Sequence, residues 1–300
     1  MRSTHLLIGA LITSTSLSAA SAWSAATVFS GTGAGATTAL NAFRDAIGGI
    51  KNTGAAQATG RREISWDGVK LDGTDVNPNT KVVDANKTVI IPVDRFKGQG
   101  TLFEDPYAVS GDGFTSVNSA SAGQFLAFSP KNTFAMQDQT PGQFDDRNIG
   151  ESFNIAGTAN SAGTRGFGAI FLDVENAGST SIEYFGRDIN GNEVSLGTYA
   201  VPTGADGEAQ FLGVLFDSAV VTNVDLTVGT NSLFNFDGTN IQSFGTEDLA
   251  HGTDLVVTDD FIFAEPTTAA TVPEPSTTGL VILGALLLFV RRHKPEWLRA

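Results

Sequence analysis

The chain has 300 residues, 18 Lys and Arg against 32 Asp and Glu, a formal net charge of −14, three histidines and no cysteine. Without cysteine there is no disulfide, thiolate zinc site, iron–sulfur cluster or cysteine nucleophile. His5 and His293 lie in the terminal segments, so His251 is alone in the body and a multi-histidine metal site is excluded as well. The acidic balance argues against nucleic acid, whose phosphates are bound through Lys and Arg.

In chain order, Arg2 precedes a mostly apolar run from Leu6 to Leu17, and Ala20-Ser21-Ala22 places small residues where a signal peptidase cuts. Residues 1–22 therefore read as a secretory signal removed before Trp23, with a cut after Ala26 as the second candidate. Gly31-Thr32-Gly33-Ala34-Gly35 follows no predicted strand and reads as a flexible leader, not a phosphate cradle. Residues 38–47 put Leu40, Phe43 and Ile47 on one face, with Gly48-Gly49 as the stop, and predict one short helix.

Everything later predicts strands: 63–66, 88–93, 124–129, 166–174, 181–185, 193–201, 209–216, 220–228 and 254–264, parted by Gly, Asn, Asp and Pro. Phe167, Ala169 and Phe171 are expected on one face of their strand, and Ile170, Leu172 and Val174 on the other. Residues 211–216 are apolar on both faces. Both strands are expected to be central and covered on each side. Regular strand spacing without intervening helices predicts an all-β body, an antiparallel β-sandwich or jelly roll in a single domain over 23–271. With residues 1–22 and 276–300 removed, that body keeps 13 basic and 31 acidic residues, a net charge of −18.

Few segments of the body suggest chemistry. Neither a Gly-x-Ser-x-Gly elbow nor a glycine loop ending in Lys-Ser or Lys-Thr occurs. Asp188-Ile189-Asn190-Gly191-Asn192-Glu193 begins like a calcium loop, but Glu193 stands where the EF-hand glycine belongs. Asn190-Gly191 is instead the turn of a hairpin. His251 reads as a solvated loop residue. Trp66 is the only internal tryptophan of the body, joined by Tyr107, Tyr184 and Tyr199, a composition that disfavours a high-affinity lectin.

Asp259-Asp260 is the acidic pair of most interest, because alternation along a strand turns one of the two inward, where a carboxylate must be paired or bound to a metal. Val257-Thr258-Asp259-Asp260-Phe261 is similar to the last strand of jelly-roll carbohydrate-binding modules, which often hold a structural calcium there. A salt bridge to Arg61, Arg62 or Arg165 is the alternative. Asp72, Asp75 and Asn77, in a turn-rich segment, form a weaker candidate cluster.

At the end of the chain, Val272-Pro273-Glu274-Pro275 leads into an apolar stretch over 277–290, closed by Arg291-Arg292-His293-Lys294. Physically this is a stiff stop, a short membrane helix and a positive-inside anchor, with the body outside the cytoplasm. Fourteen residues make a helix of roughly 21 Å against a hydrocarbon core of about 30 Å, and the two arginines can snorkel to recover part of the deficit. The order Pro-Glu-Pro, apolar helix, arginine cluster resembles the PEP-CTERM sorting signal of bacteria that export extracellular polymeric substance. The resemblance implies recognition of residues 272–300 by exosortase, an integral-membrane enzyme, after signal peptidase has acted. The chain departs from it by continuing through Pro295-Glu296-Trp297-Leu298-Arg299-Ala300.

Blocks at 61–69, 165–174, 182–185, 211–216 and 259–266 look like those of an uncharacterised bacterial secreted β-domain that often carries this same tail. That resemblance implies export and a β-sandwich and brings no reaction with it. The expectation is a non-enzymatic protein of the cell surface or extracellular matrix that could contact extracellular polysaccharide. A secreted enzyme acting on polysaccharide, or a carbohydrate-binding module, is the alternative.

Overall fold

The computed structural model describes residues 25–135 and 147–272, all within the unit Trp23–Pro273. The proposed signal sequence, and the sorting signal from Pro273 onward, lie outside the described residues. Among the described residues the chain is mainly β, with every sheet antiparallel. A nine-stranded sheet runs β1 (Ala26–Thr32), β12 (Ala209–Phe216), β9 (Gly166–Leu172), β16 (Val257–Ala264), β7 (Thr133–Ala135), β6 (Tyr107–Ser110), β4 (Thr88–Ile91) and β3 (Lys81–Asp84), with β2 (Arg61–Ile64) also pairing with β16. A five-stranded sheet runs β11 (Glu193–Ala200), β10 (Ser181–Arg187), β13 (Asn223–Thr227), β8 (Asn148–Phe153) and β5 (Thr101–Phe103). A small hairpin of β14 (Phe234–Phe236) and β15 (Ile241–Ser243) completes the set.

The inner faces of the two larger sheets share one core, in which Phe167, Phe171 and Leu212 of the larger sheet join Phe153, Ile182 and Val224 of the smaller. Tyr184 crosses between the sheets, stacking edge-on with Phe216 and donating its hydroxyl to the Phe167 carbonyl at 3.0 Å. The outer face of β9 and β12 is covered by α1 (Ala34–Gly48), whose Leu40, Phe43 and Ile47 form a second core with Ile170, Leu172, Phe211 and Ile262. Gly168 and Gly213 pair across β9 and β12 beneath this helix. A Cβ on Gly213 would lie 3.0 Å from the Phe43 ring, so the missing side chain is what lets the helix sit close.

Three sequence expectations change. The glycine-rich 31–35 segment is ordered and not a leader: Gly31 and Thr32 end β1, Ala34 and Gly35 open α1, and Gly33 at φ 51° makes the tight turn between them. The Glu208 carboxylate lies against Gly33, an unfavourable neighbour for an anion. Residues 124–129 are not a strand; they form an irregular segment that Phe125 anchors in the second core. Val174 packs with Phe167 and not with Ile170, because Asp173 takes a left-handed φ of 72° and breaks the alternation. Among the described residues no helix is long and apolar enough to cross a membrane.

Candidate functional site

Consecutive aspartates on a regular strand would point to opposite faces. On β16 they do not, because Thr258 pairs with Phe171 while Phe261 pairs with Ala169, leaving one extra residue on β16. This is a β-bulge, which re-aims side chains. Both carboxyls are consequently buried, Asp259 at 0 % and Asp260 at 6 % exposure.

Asp259 is held by donors from the 124–129 segment: the backbone N–H of Phe128 at 2.6 Å and of Ser129 at 3.3 Å to Oδ2, and the Ser129 hydroxyl to Oδ1 at 3.2 Å. Its backbone carbonyl accepts the Trp66 indole N–H at 2.8 Å. Burial, with the charge of Asp260 behind it, pushes the Asp259 carboxyl up to about 8, so at neutral pH the pair shares a proton. Asp260 lies 3.9 Å from the Arg44 guanidinium of α1. Arg44 in turn reaches Glu63, which also pairs with Arg61 at 2.7 Å and Lys51 at 3.0 Å. Burial works against the Glu63 charge, yet the hydrogen bonds from Arg61 and Lys51 and the charge of Arg44 outweigh it and hold its carboxyl at about 2. Three cations, Arg44, Arg61 and Lys51, already meet the charge on Glu63 and Asp260, and the chemistry of the arrangement is a shared proton beside an ion-pair cluster.

The arginines weighed as partners for Asp259 and Asp260 are engaged elsewhere. Arg62 is fully buried and binds Glu265 through two bonds, Nε to Oε2 at 2.8 Å and Nη2 to Oε1 at 2.7 Å. Arg165 donates to the Ala46 carbonyl. Of the weaker cluster, Asp75 is bound by the Arg95 guanidinium at 2.6 and 3.0 Å, Asp72 accepts from Thr74, and Asn77 donates to Asp94. Those three residues shape a turn, and a guanidinium takes the place a cation would need.

Asn190-Gly191 does turn β10 into β11, with Gly191 at φ 84° and Asp188 accepting from Asn190 and Asn192. His251 is 82 % exposed and pairs at 2.6 Å with Asp248, three residues before it. Trp66 is 1 % exposed and stacks on Phe134 at 3.9 Å between ring centroids, so its flat face serves the core. Of the sorting-signal residues, Val272 alone is described: it is 3 % exposed and its N–H donates to the Arg187 carbonyl.

Two acidic features are not legible from residue spacing. Glu151 of β8 points into the shared core at 2 % exposure, bonded among the described residues only by the Thr101 hydroxyl at 2.5 Å, and burial pushes its carboxyl up to about 8. Asp173, Glu175, Asp206, Glu247 and Asp254, scattered through the loops of the second half, gather at one end of β9. The only signal for the second group is that acids flank the predicted strands: Asp173 and Glu175 at the end of 166–174, Asp206 shortly before 209–216 and Asp254 at the start of 254–264. No family model, curated protein or solved structure matches the chain.

Proposed function

We propose that this chain is an exported, non-enzymatic protein of the cell surface or extracellular matrix. In this reading residues 1–22 are a signal peptide, 23–271 a β-sandwich body of the jelly-roll kind, and 272–300 a sorting signal read by exosortase. The observation that carries it is the order Val272-Pro273-Glu274-Pro275, apolar 277–290, Arg291-Arg292.

The body is consistent with cuts at both ends. Val272 is the last residue described and is still packed in the core, so cleavage at or beyond the Pro-Glu-Pro leaves the packing intact. At the other end β1 begins at Ala26, which pairs with Phe216. A cut before Trp23 keeps that strand whole, whereas a cut after Ala26 removes its first residue. A shared core between two antiparallel sheets supports the sandwich reading. The charged side chains support a structural role: Arg62 with Glu265, Arg95 with Asp75 and Arg44 with Glu63 join one segment to another.

Intact mass of the mature protein from its host tests both cuts at once. The expected species begins at Trp23 and lacks residues 277–300. Full-length chain recovered from a strain with active exosortase would overturn the sorting assignment, and Met1 on the mature protein would overturn export by a cleaved signal. Hydrolysis of the host's own polysaccharide by the purified protein would overturn the non-enzymatic reading.

A further inference from the structure

Four chain segments meet where β9 ends. Leu172 pairs with Val257 of β16 on one side and with Ala209 of β12 on the other. That pairing brings Asp173 and Glu175, just past β9, against Asp254, just before β16, and Asp206, just before β12. Glu247 arrives from the loop after β15 and is tied in by the Leu255 N–H, which donates to its Oε2 at 3.2 Å.

Glu175, Glu247 and Asp254 each present a carboxylate oxygen, and the three lie within 4.8 Å of one another. Glu175 does the same with Asp173 and Asp206. Among the described residues no ion pair reaches any of the five. The donors that reach them are neutral: Gly207 N–H and the Gln124 amide to Asp173, the Gln124 amide and Leu255 N–H to Glu247, and Asn176 N–H and the Ser179 hydroxyl to Asp254.

The decisive observation is Asp254. It is 0 % exposed, and both of its donors go to Oδ2, Ser179 at 2.6 Å and Asn176 at 3.0 Å. Its Oδ1 is buried with no donor at all, and the same holds for Oε2 of Glu175 beside it. A buried carboxylate oxygen costs several kcal/mol unless a donor or cation meets it, and here the nearest groups are further carboxylates. A bound cation resolves that arrangement without rebuilding the loops; a proton held between Glu175 and Glu247 relieves that pair but leaves Oδ1 of Asp254 without a partner.

All the offered ligands are hard oxygens, which suits calcium or magnesium. Two oxygens on one calcium lie up to about 5 Å apart, twice the usual bond length, against about 4 Å for magnesium. The spacing of each trio therefore fits within the span of one calcium ion. A polar cavity of about 490 Å³, lined in part by Gln124, Glu175, Asp206, Thr246 and Glu247, provides entry and room for the water ligands that calcium keeps.

We propose that Glu175, Glu247 and Asp254, with Asp173 and Asp206 alongside, bind one calcium ion that clamps the end of β9 to the loops preceding β12 and β16. This site is separate from Asp259 and Asp260, and it does not depend on how the chain is sorted.

The test is titration of the full-length chain, stripped with a chelator, with calcium chloride, read by calorimetry and by thermal unfolding. One calcium binds per chain, and at 100 times its dissociation constant it shifts the folded-to-unfolded ratio about 100-fold. Glu247→Gln, a partly exposed position, and Asp254→Asn, which keeps an acceptor for Ser179 and Asn176, each weaken binding at least tenfold. Asp259→Asn leaves it unchanged. Absence of both heat and a melting shift at 10 mM calcium overturns the proposal. So does unaltered affinity in Glu247→Gln, and so does magnesium that binds as tightly as calcium. Loss of binding in Asp259→Asn alone moves the ion to the β16 pair and overturns this assignment.

Discussion

Replacing Arg62 by methionine destabilises the protein by about 3–5 kcal/mol, the range for removing one partner of a buried ion pair. The pair joins β2 to the residue that follows β16, with side-chain exposures of 0 % for Arg62 and 1 % for Glu265. Every polar edge is used. Beyond the two bonds between them, Arg62 donates to the carbonyls of Gly54 and Ala55, both at 3.0 Å, and Glu265 accepts from the Asn52 amide and the Gln57 N–H, both at 2.9 Å. In the methionine variant the aliphatic volume survives, but Glu265 stays buried with a charge and loses its guanidinium. Glu265→Gln strands the opposite charge, and its effect is of similar size. Because either change breaks the same interaction, the double variant costs less than the sum of the two singles. Denaturant unfolding checks this, and a loss below 1 kcal/mol for Arg62→Met would show that water reaches the pair.

Glu151→Gln has the opposite sign. In the folded protein the Glu151 carboxyl keeps its proton up to about 8, because the surrounding core penalises the charge and the Thr101 hydroxyl offsets only part of that penalty. The unfolded chain releases the same proton in the ordinary glutamate range, near 4.5. Between those values the folded state holds one proton more than the unfolded state. Stability therefore falls as pH rises, by about 1.4 kcal/mol per pH unit, and levels off above pH 8. At pH 7 the accumulated cost is on the order of 3 kcal/mol. Glutamine keeps the acceptor for Thr101 and has no proton to lose, so the variant is more stable at pH 7, equal to the parent near pH 4, and free of this contribution to the slope. Asp259, raised in the same direction, contributes its own slope to both proteins, which makes the difference between the two unfolding profiles the quantity to measure. Parallel profiles from pH 5 to 8 would show that Glu151 ionises normally in the folded state.

Both predictions rest on roles that the sequence does not assign to these residues. The sequence offers Arg62 only as one of three possible partners for Asp259 or Asp260, with nothing to point it at Glu265. In the structure it turns inward, because β2 pairs with β16 and alternation sends Arg62 to the face opposite Arg61 and Glu63. Asn148–Phe153 was not among the expected strands. Its inward face carries Glu151 between Ile149 and Phe153, and a carboxylate at that position breaks the apolar alternation by which strands are recognised.

What the sequence determined by itself is local and repetitive. The unbroken apolar runs of β9 and β12 demand cover on both faces, the three-and-four spacing of Leu40, Phe43 and Ile47 makes a helix with one apolar side, and Asn190-Gly191 makes a tight turn wherever it is placed. Each of these follows from side-chain geometry within a few residues. Tertiary structure decided what depends on counting between distant strands. A single extra residue on β16 turns Asp259 and Asp260 into neighbours, and the pairing of β9 with both β16 and β12 collects five carboxylates from separate loops. Like charges do not draw one another together in a flexible chain. They meet here because the hydrophobic pairing of the strands fixes where the loops begin, and that pairing is set by the whole core and not by any segment of it.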